Sequence, residues 1–362
     1  MSQVYNFGAG PAMLPVPVME RVRDELLDFK SMGISIIEIS HRAKQFEEVL
    51  LDAQQRFRQL TNLPDNDKIL FVHGGARMQF SALPMNLADR SPAKKCLYVE
   101  TGNFAKLANK DARPYGDIRV IASSADTNYS YLPEITAEMI DQDAAYLHMT
   151  TNNTIYGSRY SQFPETGNVP LIADQTSEIL SRVIDYSKFG CIYAGLQKNL
   201  GPSGTAIVVI REDLLGHAYP ETPVLLNYEQ CAKDNSLTNT ANTFAVYVTG
   251  LVLEWLQEQG GVEAIEKVNE QKAKVLYDII DAGDYYRGVI QPECRGTMNV
   301  SFNLPSEELE AKFLKEAGAC GLYALKGHRS VGGIRASIYN AMPLAGVETL
   351  AGFMQEFESK NG

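Results

Sequence analysis

The sequence lacks the features that mark membrane and secreted proteins. Its longest apolar runs, such as residues 206–210, are far shorter than the roughly 20 residues that a membrane helix needs. The first residues contain neither a basic stretch followed by an apolar one nor a small-residue cleavage site, so no secretion signal is expected. We therefore expect a cytoplasmic protein that does not enter a membrane.

Cysteine, histidine and basic residues are also scarce. The five cysteines are widely spaced without a C-x-x-C pair, which indicates mostly buried thiols in a reducing compartment. The five histidines form neither an H-E-x-x-H motif nor a close pair, so we predict no metal site. Thirty-three Lys and Arg against 44 Asp and Glu give a net charge of −11, which argues against a nucleic-acid partner.

Common nucleotide and hydrolase motifs are missing as well. The sequence has no Gly-Lys dipeptide and therefore no P-loop, and no G-x-S-x-G marks a nucleophile elbow. Gly8-Ala-Gly10 begins a dinucleotide fingerprint, but Met13 stands where the third glycine is required. Any anionic ligand must therefore be held by a local cluster of basic residues.

Helical and strand patterns alternate along the first 250 residues. Apolar residues that recur every three or four positions predict helices at residues 16–29, 46–60, 244–259, 262–280 and 344–357. Short apolar runs predict buried strands at residues 69–72, 96–99, 145–148, 170–173, 191–194 and 206–210. The alternation predicts an α/β fold, with a mostly parallel sheet flanked by helices and a ligand site at the carboxyl ends of the strands.

The pattern changes near residue 258. Two long helical stretches flank an alternating run at residues 298–302, and a second such run follows at 334–338, as in a half-exposed sheet. Gly260 and Gly261 are the expected break in the chain. We predict a large domain at residues 1–257, which includes the N-terminal segment, and a smaller C-terminal α+β domain at 258–362.

Lys198 and Asp174 are the residues that point most directly to chemistry. Lys198 follows an apolar strand within a segment of small residues, where desolvation can lower its pKa and make the amine a nucleophile suited to Schiff-base formation. Asp174 ends another apolar strand and should face the same sheet edge. Pyridoxal phosphate needs both groups, a lysine for attachment and a carboxylate for its pyridine nitrogen. Taken alone, a lysine such as Lys198 is more often a surface residue, and an aspartate such as Asp174 is more often a helix cap.

Several longer blocks resemble the phosphoserine aminotransferase family. The blocks are Asn6-Phe-Gly-Ala-Gly-Pro-Ala-Met-Leu14, His73-Gly-Gly-Ala-Arg77, Ala173-Asp-Gln-Thr-Ser177, Tyr193-Ala-Gly-Leu-Gln-Lys-Asn-Leu-Gly-Pro-Ser-Gly204, Lys326-Gly-His-Arg329 and Gly333-Ile-Arg-Ala-Ser-Ile-Tyr-Asn340. The resemblance extends from near the first residue to Gly362. It implies a class V aminotransferase of pyridoxal phosphate fold type I, and a homodimer with active sites at the subunit interface.

The resemblance also implies a set of cofactor residues. They are Ala76, Arg77, Phe104, Thr154, Asp174, Gln197, Lys198, Asn239 and Thr240. Lys198 is the implied Schiff-base lysine and Asp174 the partner of the ring nitrogen. The amides of Ala76 and Arg77 are expected to hold the cofactor phosphate at a helix N-terminus, with Gln197 adding a contact and Asn239 and Thr240 reaching it from the partner chain. Thr154 is expected to bond the ring hydroxyl.

The implied substrate residues are His41, Arg42, His328, Arg329 and Arg335. Arg335 is expected to bind the α-carboxylate, and the other four to bind the substrate phosphate or a distal carboxylate, partly from the partner subunit. At two positions the chain departs from relatives. Phe104 stands where many members stack a tryptophan on the ring, and Ala9 stands where some have a serine.

By resemblance, the reaction is a ping-pong transamination between phosphoserine and 2-oxoglutarate, forming 3-phosphohydroxypyruvate and glutamate in serine biosynthesis. Use of the related substrate of pyridoxine biosynthesis stays open. One alternative is another fold type I enzyme, either an alanine:glyoxylate aminotransferase or a cysteine desulfurase, for which Cys320 is the only loop-like cysteine. A second alternative is a non-catalytic protein that binds a phosphorylated metabolite.

Overall fold

The computed structural model describes residues 4–362. Its helices are α1 (Val16–Glu25), α2 (Lys44–Thr61), α3 (Gly75–Leu87), α4 (Asn103–Ala112), α5 (Tyr228–Lys233), α6 (Thr243–Glu258), α7 (Gly261–Ile280), α8 (Glu307–Ala319) and α9 (Leu344–Asn361). Its strands are β1 (Tyr5–Asn6), β2 (Asp67–His73), β3 (Lys95–Glu100), β4 (Asp117–Ser123), β5 (Tyr146–Thr150), β6 (Asn152–Asn153), β7 (Ser158–Arg159), β8 (Leu171–Asp174), β9 (Cys191–Gly195), β10 (Thr205–Arg211), β11 (Arg287–Gly288), β12 (Asn299–Asn303), β13 (Leu322–Tyr323) and β14 (Ile334–Ser337). No helix within this range is long and apolar enough to cross a membrane.

A seven-stranded sheet forms the centre of the larger part of the chain. Its strand order is β2-β10-β9-β8-β5-β3-β4, and β10 alone runs opposite to the other six. Strands β5, β8 and β9 are buried along their whole length, as expected of parallel strands covered by helices on both faces. The predicted α/β fold with a mostly parallel sheet is confirmed.

Helices cover both faces of this sheet. On one face α2 contributes an apolar stripe at helical spacing, including Phe46, Val49 and Phe57, and packs together with α6 against the sheet. On the other face α3 and α4 cover a second core that contains Tyr98 and Tyr193. The site described below lies where the strand ends meet this second layer.

The C-terminal part has its own antiparallel sheet, β11-β12-β14, packed against α7, α8 and α9. The N-terminal strand β1 pairs with β13 in parallel, so the first described residues pack with the C-terminal part. The turn from α6 into α7 is made at Gly260 and Gly261, whose φ angles of 93° and 77° favour glycine. The domain boundary between residues 257 and 258 stays a prediction.

The first predicted helix is shorter than its sequence pattern. Helix α1 ends at Glu25, and a single 3₁₀ turn, Phe29–Ser31, follows it. The carboxylate of Asp28 accepts the N–H of Gly33 at 2.6 Å and closes this loop. Phe29 is still buried, which explains why the apolar periodicity continues past the helix end.

Candidate active site

A cavity of about 280 Å³ opens at the carboxyl ends of the parallel strands. Residues after β2, β3, β5, β8 and β9 line one side, and residues of the N-terminal segment and the C-terminal part line the other. This is the edge of an α/β sheet where ligands ordinarily bind. The cavity brings together nine of the predicted site residues, Ala76, Arg77, Phe104, Thr154, Asp174, Gln197, Lys198, His328 and Arg335.

Lys198 lies in the turn that follows β9, and its side chain is buried inside the cavity. Its Nζ donates to Thr154 Oγ1 at 2.5 Å. Burial lowers the pKa of Lys198 to about 8; the charge of Asp174 opposes this effect and the charge of Arg335 adds to it. The amine is therefore partly neutral near physiological pH, as a nucleophile or proton carrier requires.

Asp174 is the last residue of β8 and is also buried. Its Oδ1 accepts the backbone N–H of Thr176 at 2.9 Å. Burial raises the pKa of this carboxyl group, while the hydrogen bonds from Thr176 and the charge of Lys198 act in the opposite direction. Asp174 and Lys198 thus place one acidic and one basic group in the same enclosed space.

The N-terminus of α3 supplies backbone donors to the cavity. Gly74 and Gly75 have φ angles of 83° and 65°, and they turn the chain sharply from β2 into the helix. The first N–H groups of any helix have no partner within it, so those of Ala76 and Arg77 suit an anion. The Arg77 side chain pairs with Asp111 at 2.8 Å, which leaves its amide as the group offered to the cavity.

An aromatic ring and a half-buried guanidinium complete the cavity. Phe104 lies in the first turn of α4, with its ring centroid 5.8 Å from Lys198 Nζ. Arg335 is on β14, where burial lowers its pKa. Its buried Nε has no hydrogen-bond partner within residues 4–362. A free donor of this kind is suited to a ligand carboxylate.

Several residues of the cavity were not assigned a role from the sequence. Asn152 Nδ2 donates to Ser177 Oγ at 2.8 Å and to Asn299 Oδ1 at 3.1 Å, and both Asn152 and Ser177 line the cavity. Thr150 and Thr176 line it as well. Each lies at or just after the end of β5 or β8, and this position is the only sequence signal that could have identified them.

Five predicted residues do not line the cavity of the single chain. They are His41, Arg42, Asn239, Thr240 and Arg329. His41 and Arg42 lie on one segment, and Asn239 and Thr240 on another. A hydrogen bond joins the two segments, since Thr243 Oγ1 donates to the carbonyl of Ile36 at 3.2 Å. The hydrogen bond that Gln230 Nε2 donates to Asp234 Oδ2 at 2.9 Å, together with the charge of Arg42, lowers the pKa of Asp234.

Within residues 4–362, neither a thiol nor a group of metal-ligating side chains lines the cavity. Cys320, the desulfurase candidate, is exposed at the end of α8, and the other four cysteines are buried elsewhere. Within residues 4–362 no group of three or more His, Cys, Asp or Glu side chains could hold a metal ion. The chemistry offered by the cavity is therefore that of an amine, a carboxyl group, guanidinium groups and backbone amides.

Comparison with known proteins shows the family to which the chain belongs. The family model described as aminotransferase class-V matches residues 4–350. The chain is 48% identical to a phosphoserine aminotransferase of Bacillus cereus over the full length of both. It also resembles the solved phosphoserine aminotransferase of Bacillus circulans subsp. alkalophilus, with 45% identity, a TM-score of 0.96 and 99% of each chain covered.

A further similar structure is the pyridoxal phosphate-bound phosphoserine aminotransferase of Trichomonas vaginalis. It is 36% identical to the chain, with a TM-score of 0.92, and the match covers 98% of this chain and 100% of that one. The chain therefore belongs to the class-V aminotransferase family, together with the phosphoserine aminotransferases that it resembles over its whole length.

Proposed function

We propose that this aminotransferase moves an amino group between O-phospho-L-serine and 2-oxoglutarate, with 3-phosphohydroxypyruvate and L-glutamate as the other pair, and that pyridoxal phosphate is its cofactor. The observation that carries the proposal is the buried Lys198 amine, which shares one cavity with Asp174 and the free amides of α3. The full-length relatives named phosphoserine aminotransferase support a role in serine biosynthesis. Use of the substrate of pyridoxine biosynthesis and a cytoplasmic location stay predictions.

The residues of the cavity fit pyridoxal phosphate group by group. The amides of Ala76 and Arg77 suit the phosphate, the Asp174 carboxyl group suits the ring nitrogen, and Phe104 offers an aromatic face. The Lys198 amine suits the aldehyde. When bound, the cofactor supplies an aldehyde that a lysine can attach to and a ring that accepts electrons.

Lys198 also provides the proton transfer that transamination requires. Its pKa of about 8 lets the amine accept and return a proton at Nζ near neutral pH. Thr154 Oγ1 lies 2.5 Å from this atom and fixes its position. The side chain is only 7% exposed, which keeps bulk water away from the transferred proton.

Two sets of arginine and histidine side chains account for the binding of a substrate that carries both a carboxylate and a phosphate. Arg335, with its free Nε, is the proposed partner of the α-carboxylate that every substrate of the reaction carries. His328 lies at the cavity wall, where its Nδ1 accepts the N–H of Ser330 at 3.2 Å. We assign the substrate phosphate, or the distal carboxylate of glutamate, to His328 and Arg329 together with His41 and Arg42.

We infer that the active site is completed in a homodimer. The support is that His41, Arg42, Asn239 and Thr240 do not reach the cavity of their own chain. The N-terminal region near these residues also exposes large apolar side chains that a second subunit could cover. They are Val16, Met19, Leu26, Leu27, Met32, Ile34 and Ile37.

An activity measurement on the protein reconstituted with pyridoxal phosphate tests the proposal. Glutamate formation from 2-oxoglutarate is followed with L-phosphoserine, L-serine or L-alanine as the amino donor. We expect turnover with L-phosphoserine and little with the other two donors, because only the first has a phosphate for the His and Arg set. Faster turnover of L-alanine with glyoxylate, followed as pyruvate formation, would favour the alanine:glyoxylate type. No turnover with any donor and either acceptor would favour a non-catalytic binding protein.

A further inference from the structure

Lys272 is a fully buried lysine that lies outside the cavity. It is on α7 with no exposed surface, and burial lowers its pKa to about 7. Its Nζ donates to the carbonyl oxygens of Ile338, Tyr339 and Met342 at 3.0, 2.8 and 3.0 Å. In its protonated form, the amine thus uses all three of its donors on one short turn, residues 338–342. A buried amine is costly unless each of its donors is satisfied.

The turn held by Lys272 directly follows β14, the strand that carries Arg335. The same turn is bonded to the residue next to Lys198, because the backbone N–H of Asn340 donates to Asn199 Oδ1 at 3.1 Å. Lys272 therefore holds a turn that connects the strand of Arg335 with the loop of Lys198.

A second set of bonds joins the turn to the cavity wall. Tyr339 Oη donates to the carbonyl of Ala9 at 3.0 Å and accepts from Asn299 Nδ2 at 3.2 Å. Ala9 lines the cavity, and Asn299 is bonded in turn to the cavity residue Asn152 at 3.1 Å. A shift of residues 338–342 would consequently move several walls of the site together.

The guanidinium group of Arg335 takes its position mainly from the backbone of its strand. Within residues 4–362 its buried Nε has no hydrogen-bond partner. A guanidinium group that no acid holds in place takes its position from the strand below it. The strand is fixed by pairing with β12 on one side and by the N–H of Arg335, which donates to the carbonyl of Leu325 at 2.8 Å, on the other. Where the strand ends, it is held by the turn that Lys272 binds.

We propose that Lys272 is a positioning residue for the transamination. By binding the three carbonyl oxygens of residues 338–342, it fixes Arg335 relative to Lys198, so that a substrate held by its α-carboxylate presents its amino group to the reacting amine. This inference rests on the proposed function, which gives Arg335 and Lys198 those roles. Lys272 itself does not line the cavity.

The test is Lys272→Met, which keeps most of the side-chain length but removes every donor. The matched control is Lys274→Met, since Lys274 lies on the same helix but is exposed and pairs with Asp278 at 2.7 Å. We expect the KM for both L-phosphoserine and 2-oxoglutarate to rise about tenfold in Lys272→Met, because misplaced binding groups weaken productive binding. The control should keep the KM of the unmodified enzyme.

Hydrogen exchange supplies a readout that does not depend on catalysis. The amide of Asn340 should exchange faster in Lys272→Met than in the unmodified protein or the Lys274→Met control. A role limited to stability predicts instead a lower melting temperature, with the KM of the folded enzyme and the exchange of this amide unchanged at low temperature. That outcome would overturn the inference.

Lys272→Gln covers the case in which the methionine variant does not fold. The amide retains two donors, so its KM should lie between those of the unmodified enzyme and the tenfold-raised value. An unchanged KM in folded Lys272→Gln would contradict the positioning role. If the unmodified enzyme does not transaminate at all, the proposed function is wrong, whereas activity with an unchanged KM in the variants refutes this inference alone.

Discussion

Lys198 is the residue on which the chemistry depends most. Replacing it by alanine removes the amine that accepts the cofactor aldehyde and moves the proton, so Lys198→Ala should show no measurable transamination. The matched control is Lys188→Ala, since Lys188 is a surface lysine paired with Glu165 at 3.0 Å. Glutamate formation is the measurement, and the control should turn over normally. Normal turnover in Lys198→Ala would contradict the mechanism.

The lowered pKa of Lys198 predicts the pH dependence of cofactor uptake. Only the neutral amine attacks an aldehyde, and burial moves its pKa from 10.5 down to about 8. The rate at which the cofactor-free protein takes up pyridoxal phosphate should therefore rise with pH and level off above about 8. Stopped-flow absorbance measures this rate. A rate that keeps rising towards pH 10.5, the ordinary lysine pKa, would contradict the assignment.

Individual site residues differ in how far the sequence predicts them. Lys198 and Asp174 follow apolar strands, and a parallel sheet brings such positions to one edge. Thr150 and Asn152 have the same kind of position, but Thr and Asn after a strand are common in ordinary turns. The carboxyl ends of strands therefore predict where the site lies better than which polar residue in it acts.

At the scale of elements, the turn between β2 and α3 controls the cofactor phosphate site. A Cβ at Gly74 would meet Met78 Cβ at 2.9 Å, and its φ of 83° disfavours any other residue. Gly74→Ala should therefore disturb the first turn of α3 and weaken binding of pyridoxal phosphate. Titration of the cofactor-free protein with pyridoxal phosphate measures the affinity.

Gly216→Ala is the control for that substitution. Gly216 has a similar φ of 87°, but a Cβ there meets nothing within 4 Å. Both variants carry the strain of an alanine with a positive φ angle. They differ in that only Gly74→Ala clashes with Met78 and only Gly74 precedes α3. Equal cofactor affinity in the two variants would show that the start of α3 does not bind the phosphate.

The sequence predicted the buried elements better than the exposed ones. Strands β5, β8 and β9 are buried throughout, and their short apolar runs predict them. Strand β4 lies at the edge of the sheet with mostly exposed side chains, so it lacks the apolar run that marks a buried strand and was missed. Strand β1 has two residues, and its pairing with β13 joins positions more than 300 residues apart, which no local pattern encodes.

At the scale of the whole molecule, the homodimer can be tested by mixing two defective variants. Lys198→Ala lacks the reacting amine, and Arg42→Ala should have a raised KM, because Arg42 is proposed to bind substrate in the partner's cavity. A mixed dimer then has one site with both residues intact. Equal amounts dissociated and reassembled should recover about a quarter of the activity at low substrate concentration, since half of the dimers are mixed.

The opposite result has a clear structural meaning. If Arg42 acts on the cavity of its own chain, each site of a mixed dimer has one defect and no activity returns. Recovery would also fail if the chains do not associate, and the molecular mass in solution separates these two cases. Failure with a confirmed dimer would contradict the proposal that two subunits share each site.

The central claim is that one cavity binds pyridoxal phosphate through Lys198 and accepts a phosphorylated amino acid. The most direct measurement is the visible absorption spectrum of the reconstituted protein, titrated with L-phosphoserine and, separately, with L-serine. We predict a visible band from the lysine-bound cofactor that L-phosphoserine converts at far lower concentrations than L-serine does. The absence of a visible band, or an equal response to both amino acids, would contradict the account.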